Sequence, residues 1–259
     1  MSSDSGAGGV KVLAKAAAVL NALAEGERTP AQLSVVVGEP RSTMYRVLGA
    51  LQDGGLVEPG IRNGTYQLGM SLFTLGNAVA RRFSDVRSAA LPAMEQLHAA
   101  TRQTIFLVVR RDNSALCVER LDGEMVGVMI LPVGGTIPLH GGANARALLA
   151  FEPREVWDGF VDSGPLEQFT PATHTSAAEL FAQLEQIKEQ GYSVSEEDVI
   201  PGIASIGAPV IDHTQKVRAA ISLSGPTGVV LGDDRLANIA RVRSAAAEIS
   251  RVLGGGHPS

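Results

Sequence analysis

The sequence predicts an α+β chain in two domains, and three observations carry that prediction. At 259 residues the chain is longer than one ordinary domain requires. Its first 68 residues alternate short amphipathic helical stripes with tight Gly/Pro turns. Beyond about residue 83 the texture changes to strand-like apolar runs interleaved with helical stripes, in no regular strand–helix repeat. Hydrophobic residues are 45% and charged residues 19%, which excludes a disordered chain.

Each element has its own signal. Residues 1–9 are small and polar and are expected to be a disordered start. Leu13, Ala17, Leu20 and Ala24 recur at helical spacing, and Gly26 ends that helix. Thr29-Pro30-Ala31-Gln32 is a helix start, with Thr as N-cap, Pro at the first position and Gln closing a capping box. Gly38 and Pro40 stop this second helix early. A third opens at about Arg41, with Met44, Val47, Leu48 and Leu51 as its apolar stripe and Gly54-Gly55 as its end. Leu56-Val57 and Tyr66-Gln67-Leu68 flank a turn containing Asn63-Gly64, the pattern of a hairpin. Three helices and a hairpin, with a tight turn between the second and third helices, is the order of a winged helix-turn-helix over residues 10–69. Leu72, Leu75, Val79 and Phe83 predict a linker helix over 70–83.

The second domain, 84–254, opens with a helix Leu91–Ala100 carrying Pro92 in its first turn. Strands are expected at Ile105–Val109, Ala115–Leu121, Met125–Leu131, Ile203–Ile211 and Val217–Ser224. Helices are expected at Ala143–Phe151, Arg154–Val161 and Ser176–Gln190. A last one, opened by Asp233-Asp234, runs through Ile239, Val242, Ala246, Ile249 and Leu253, before a tail at 255–259. The longest uncharged stretch, Met125–Ala145, holds Pro132, Pro138 and five glycines, which argues against a membrane span. Lys11 and Lys15 before Ala16–Ala24 imitate a secretion signal, but Asn21 breaks the apolar run.

These residues resemble the IclR-type bacterial transcriptional regulators over nearly the whole chain. The matching stretches begin with Glu39–Leu48, Gly55-Leu56-Val57 and Tyr66–Gly69. Further on they are Pro138-Leu139-His140 leading to Ala147–Ala150, Gly191-Tyr192 leading to Pro201–Val210, and Ala219–Pro226. The resemblance implies a winged-helix DNA-binding domain, a linker helix and a GAF-like effector-binding and oligomerisation domain with an antiparallel sheet. It further implies a cytoplasmic regulator, most often a repressor, acting as a homodimer or dimer of dimers and answering to a small metabolite such as an organic or aromatic acid. No membrane partner, metal or cofactor is implied.

The third helix leaves Arg41, Ser42, Thr43, Tyr45 and Arg46 off its apolar stripe. Those types bond phosphate or base edges, and they sit at the helix N-terminal end, where a recognition helix meets DNA. The bland alternative is a solvated polar face, with Ser42 as a cap. Arg62, in the wing, either touches the minor groove or backbone or is a solubility charge. Thr29 and Gln32 are assigned to capping alone.

Carried over by position, the effector site comprises Ala143 and Asn144, Ser195 and Glu197, Ser205, and Ser222 with Ser224. Ser222 and Ser224 alternate by two and so face one side of a strand; if buried, their hydroxyls need partners. Gly141–Asn144 ahead of a helix offers N–H groups to a carboxylate. Many relatives carry a Gly-rich loop and a Cys where this chain has Ala143-Asn144 and Ser205. No basic residue is plainly poised over the site, Arg146 being nearest in sequence.

Enzymatic readings fare worse. Gly202–Gly207 has one residue too many before Ser205 for a nucleophile elbow. A serine esterase using Ser205 or Ser222 lacks a recognisable base. The five histidines have no ligand-like partners at helical spacing, Glu196-Glu197-Asp198 reads as a solvated turn, and Cys117 reads as a buried inert thiol. A sensor whose helix-turn-helix contacts protein is the remaining rival. The net charge of −5 divides unevenly: residues 1–83 hold 8 basic and 6 acidic side chains, residues 84–259 hold 14 and 21. The acidity belongs to the second domain, and the first is weakly basic.

Overall fold

The structure, a computed structural model, describes residues 5–124 and 131–255. It divides into two compact units at the Arg82/Phe83 boundary.

In the first unit, α1 (Ser5–Ala24), α2 (Pro30–Val37) and α3 (Arg41–Asp53) precede a hairpin of β1 (Val57–Pro59) and β2 (Tyr66–Leu68) and then α4 (Met70–Ala80). The Thr29 capping box is present in both directions, and Gly38 closes α2 at φ 72°, a conformation that costs glycine little. The buried stripe of α3 is Met44, Val47, Leu48 and Leu51, as the spacing predicts. Two expectations for α1 fail. The helix already runs from Ser5, inside the stretch expected to be disordered, because extending a formed helix through Ala and Gly is cheaper than nucleating one. Its buried side is Val19, Ala22 and Leu23, while Leu13 is 72% exposed. In this Ala-rich segment residues 12, 16, 19 and 23 have the same 4, 3, 4 spacing as the stripe first read, and they include the side that packs.

In the second unit, α5 (Ser84–Thr101), β3 (Thr104–Arg111), β4 (Ser114–Leu121) and β5 (Thr136–Pro138) lead to α6 (Gly142–Ala150), α7 (Arg154–Asp162) and α8 (Ala177–Gln190). Then come β6 (Ser193–Glu196), β7 (Ile203–Ile211), β8 (Val217–Pro226), the short α9 (Thr227–Val230) and α10 (Arg235–Val252). The sheet is antiparallel throughout, in the order β5-β4-β3-β8-β7-β6. Strand alternation sorts the core: Ile105, Leu107, Ile206, Ala208, Ile221 and Leu223 pack with α5 and α10. Phe106, Val108, Cys117 and Ala220 pack with α6, α7 and α8 on the other face. Helices cover both faces, which is why the central strands read as continuous apolar runs.

The expected start of α5 at Leu91 is wrong by seven residues, and Pro92 lies inside the helix. Val86, Ala90, Ala93, Met94 and Leu97 form one unbroken buried stripe, and that burial outweighs the hydrogen bond lost at Pro92. The expected strand Met125–Leu131 falls, save for Leu131, outside the described residues, as does the tail beyond Gly255. No helix of the described residues is long and apolar enough to cross a membrane.

Candidate functional site

Two surfaces carry chemistry, one in each unit. On α3, Arg41, Ser42, Tyr45 and Arg46 are exposed, Tyr45 to 59%, and Thr43 is half-buried. Arg41 and Arg46 have no acceptor among the described residues. Pro40 stands at the N-cap with no side-chain bond, so Ser42 is not a cap and the first-turn N–H groups stay open to an anion. Residues 42 and 46 form one row on the helix, 41 and 45 the next.

The wing is held by Glu27. Its carboxylate accepts from the Ile61 N–H at 2.8 Å, the Thr65 hydroxyl at 2.9 Å and the Arg62 N–H at 3.3 Å. The Arg62 Nε also donates to it at 3.3 Å, while the Arg62 side chain stays 73% exposed. These donors, the Ile61 N–H foremost, pull the Glu27 carboxyl down to about 2 from an ordinary 4.5. A carboxyl lowered on folding stabilises above its unfolded value and loses that effect as the pH falls toward the folded one. Between pH 5 and pH 2, wild-type protein is therefore expected to lose more urea resistance than Glu27→Gln; equal losses would sink the assignment.

In the second unit, β-pairing lines up Ser195, Ser205, Ser224 and Thr104 across four neighbouring strands, all facing α6. The first three, with Asn144, line a cavity of about 330 Å³ whose other walls include Phe106, Ile137, Phe169, Val199 and Ile203. Thr104 instead accepts from the Gly123 N–H. Ser205 accepts from the Ala143 N–H at 3.3 Å, which ties the start of α6 to the sheet. Ser195 donates to the Asp198 carboxylate. No Lys or Arg is among the described lining residues, and Glu167 is the acid there.

Three expected site residues do not line this cavity. Ala143 contributes its N–H to Ser205 and no more. Ser222 lies one row further along the same face, fully buried with its hydroxyl unpartnered. That row is covered because α6 comes down onto the sheet at Gly207, where a Cβ would sit 2.8 Å from the Ala143 backbone. Glu197, at φ 56°, has its side chain at the Thr227 hydroxyl and borders a separate polar cleft. Arg146 is not poised over the cavity either. It is buried against Asp198 and donates to the carbonyls of His140 and Val194.

Sequence reasoning missed the aromatic wall of Phe106 and Phe169, and its solvated turn at Glu196-Glu197-Asp198 is wrong for Asp198, which is buried. His140 is a support: its Nε2 donates to the Glu167 carbonyl and its ring stacks on Phe169 at 5.4 Å. Cys117 is buried, and burial pushes its thiol up to about 11, so it is inert at neutral pH.

Known proteins supply the frame for this geometry. The model of the IclR helix-turn-helix domain matches residues 12–59. That of the bacterial transcriptional regulator IclR C-terminal domain matches 79–251. The chain is 31% identical over 246 residues to the HTH-type transcriptional regulator KipR of Bacillus subtilis, covering 94% of this chain and 97% of that one. It is 31% identical over 248 residues to the HTH-type transcriptional repressor AllR of Escherichia coli K12, covering 95% and 91%. A crystal structure of an IclR homologue complexed with 4-hydroxybenzoate, from Microbacterium hydrocarbonoxydans, superposes with TM-score 0.77 at 28% identity, covering 93% of this chain and 98% of that one.

Proposed function

Because the chain belongs to the IclR family of DNA-binding transcriptional regulators, and is like its relatives no enzyme, we propose that it is a repressor released or retained on its operator by a small organic or aromatic acid. The cavity carries this reading. It sets three serine hydroxyls and Asn144 against an apolar wall with two aromatic rings. A volume of about 330 Å³ lies at the small end for ligand pockets, the size class of a single-ring compound. The homologue bound to 4-hydroxybenzoate and the repressor AllR support both halves. With no cation on the described walls, an acid group would rest on hydroxyls, Asn144 and the first turn of α6. DNA is met through Arg41, Ser42, Thr43, Tyr45 and Arg46.

A ligand shifts DNA affinity only by binding the competent and incompetent arrangements unequally. The linker α4 is the covalent route between the units. It also buries none of its own side chains, leaving Phe73 67% and Val79 53% exposed. Such exposed apolar side chains on one helix support self-association, as a homodimer or dimer of dimers on a near-palindromic site. Such a regulator works in the cytoplasm, where its DNA is.

The test is a thermal-shift series with 4-hydroxybenzoate and other single-ring or short-chain acids. A true ligand at about 100 times its Kd stabilises by roughly 2.7 kcal/mol, some 5–10 °C for a domain of this size. Ser205→Ala with Ser224→Ala is expected to remove the shift while ligand-free operator affinity stays put. A full shift in that variant places the ligand elsewhere.

A further inference from the structure

We infer that Ile61, at the wing tip, is a DNA-reading residue that enters the minor groove as an apolar contact, and that Glu27 is the positioning residue that presents it. Ile61 is 91% exposed, the most exposed of the large apolar side chains described. An isoleucine so placed adds nothing to its own unit's core, and scattered exposed apolar residues are ordinary. What sets this one apart is how firmly its backbone is held. The Ile61 N–H donates to Glu27 Oε1, the Arg62 N–H and Nε donate to Glu27 Oε2, and Arg62 Nη2 donates to the Glu27 carbonyl at 3.3 Å. Thr65 closes the loop by bonding both Glu27 and the Arg62 carbonyl. The Gly60 N–H to Thr65 carbonyl and Thr65 N–H to Arg62 carbonyl bonds complete the turn, with Gly64 at φ 76°.

The partner follows from shape and charge. The minor groove is about 6 Å wide, too narrow for a helix or a full β-ribbon. This tip is slim, because glycines stand at 60 and 64 and only Ile61, Arg62 and Asn63 project between them. Glu27 would repel phosphate if bare; here Arg62 pairs with it, so the tip shows DNA no uncompensated acid. The hairpin follows α3 directly, through Gly54 and Gly55, and is packed against it, with Val57 in the same buried cluster as Val47, Leu48 and Leu51. Isoleucine is among the side chains that proteins press into the minor groove against base steps.

The test uses full-length protein and a duplex that the wild-type chain has itself selected from random DNA. Ile61→Ala is expected to lose about tenfold in affinity, with an unchanged melting temperature. An apolar contact releases no counterions, so the slope of log affinity against log salt stays fixed, whereas losing a phosphate contact lowers it by about 0.9. Ile61→Val retains most of the affinity, and reselection with Ile61→Ala shows relaxed preference beside the half-site. Glu27→Gln weakens binding in the same sense, by freeing the tip. Affinity of Ile61→Ala within twofold of wild type overturns the inference. So does a loss with a reduced salt slope, or a loss explained by a lower oligomeric state, which would make the tip a protein contact.

Discussion

Arg41→Ala combined with Arg46→Ala is expected to remove sequence-specific operator binding and leave the fold intact. Both guanidinium groups stand on α3 without an acceptor among the described residues, so deleting them strands no buried partner and opens no cavity. The buried stripe of Met44, Val47, Leu48 and Leu51 is untouched. A guanidinium paired to guanine discriminates by about 1–3 kcal/mol, and in a symmetric dimer each substitution counts twice. Four lost contacts at the low end of that range give about 4 kcal/mol, on the order of a thousandfold. The first unit has a net charge of only +2, from 8 basic and 6 acidic residues through position 83, so bulk attraction does little to replace them. Titration against salt separates the modes: contacts to phosphate lower the slope, contacts to bases lower the preference for operator over random duplex. Specific binding within about threefold of wild type, in a folded double variant, would rule out α3 as the reading helix.

What could be read in advance follows the range of the forces involved. The α2–turn–α3 unit was legible because its signals are local: the capping box at Thr29, the left-handed Gly38 and the stripe of α3 lie within 25 residues. The face of α1 was not, because alanine is apolar enough to suggest a stripe and too small to decide one. The four-residue strand Ser193–Glu196 alternates Ser-Val-Ser-Glu at the sheet edge and lacks the β-branched run that marks interior strands. The cavity was half legible. Period-two alternation and the family resemblance placed Ser195, Ser205 and Ser224 together with Asn144. Neither reveals that α6 covers the row containing Ser222, since that depends on the close approach at Gly207. Arg146 and Asp198 are 52 positions apart, and nothing local to either signals the other.

That pair is the most consequential feature the sequence hid, and Asp198→Ala is expected to destabilise the second unit severely. Side-chain exposure is 3% for Arg146 and 6% for Asp198, so the pair is removed from water. Leaving one charge of a buried pair uncompensated costs about 3–5 kcal/mol. For a domain of this size each kcal/mol moves the melting point by roughly 2–4 °C, so a fall of about 10 °C is expected by calorimetry. Asp198→Asn keeps one oxygen for Arg146 and turns its NH2 to the Ser195 hydroxyl, which can accept, and is expected to fall by less. In the Asp198→Ala background, Arg146→Met should cost clearly less than in wild type, because it removes the stranded charge. It will not restore full stability, since the His140 and Val194 carbonyls then lose their donor. The same substitution frees the Ser195 hydroxyl from Asp198, at one end of the hydroxyl row. Below its lowered melting point Asp198→Ala should therefore still bind operator, and show a diminished thermal shift with the acids that stabilise wild type. A melting point within 2 °C of wild type would mean that the carboxylate is dispensable to the buried arginine.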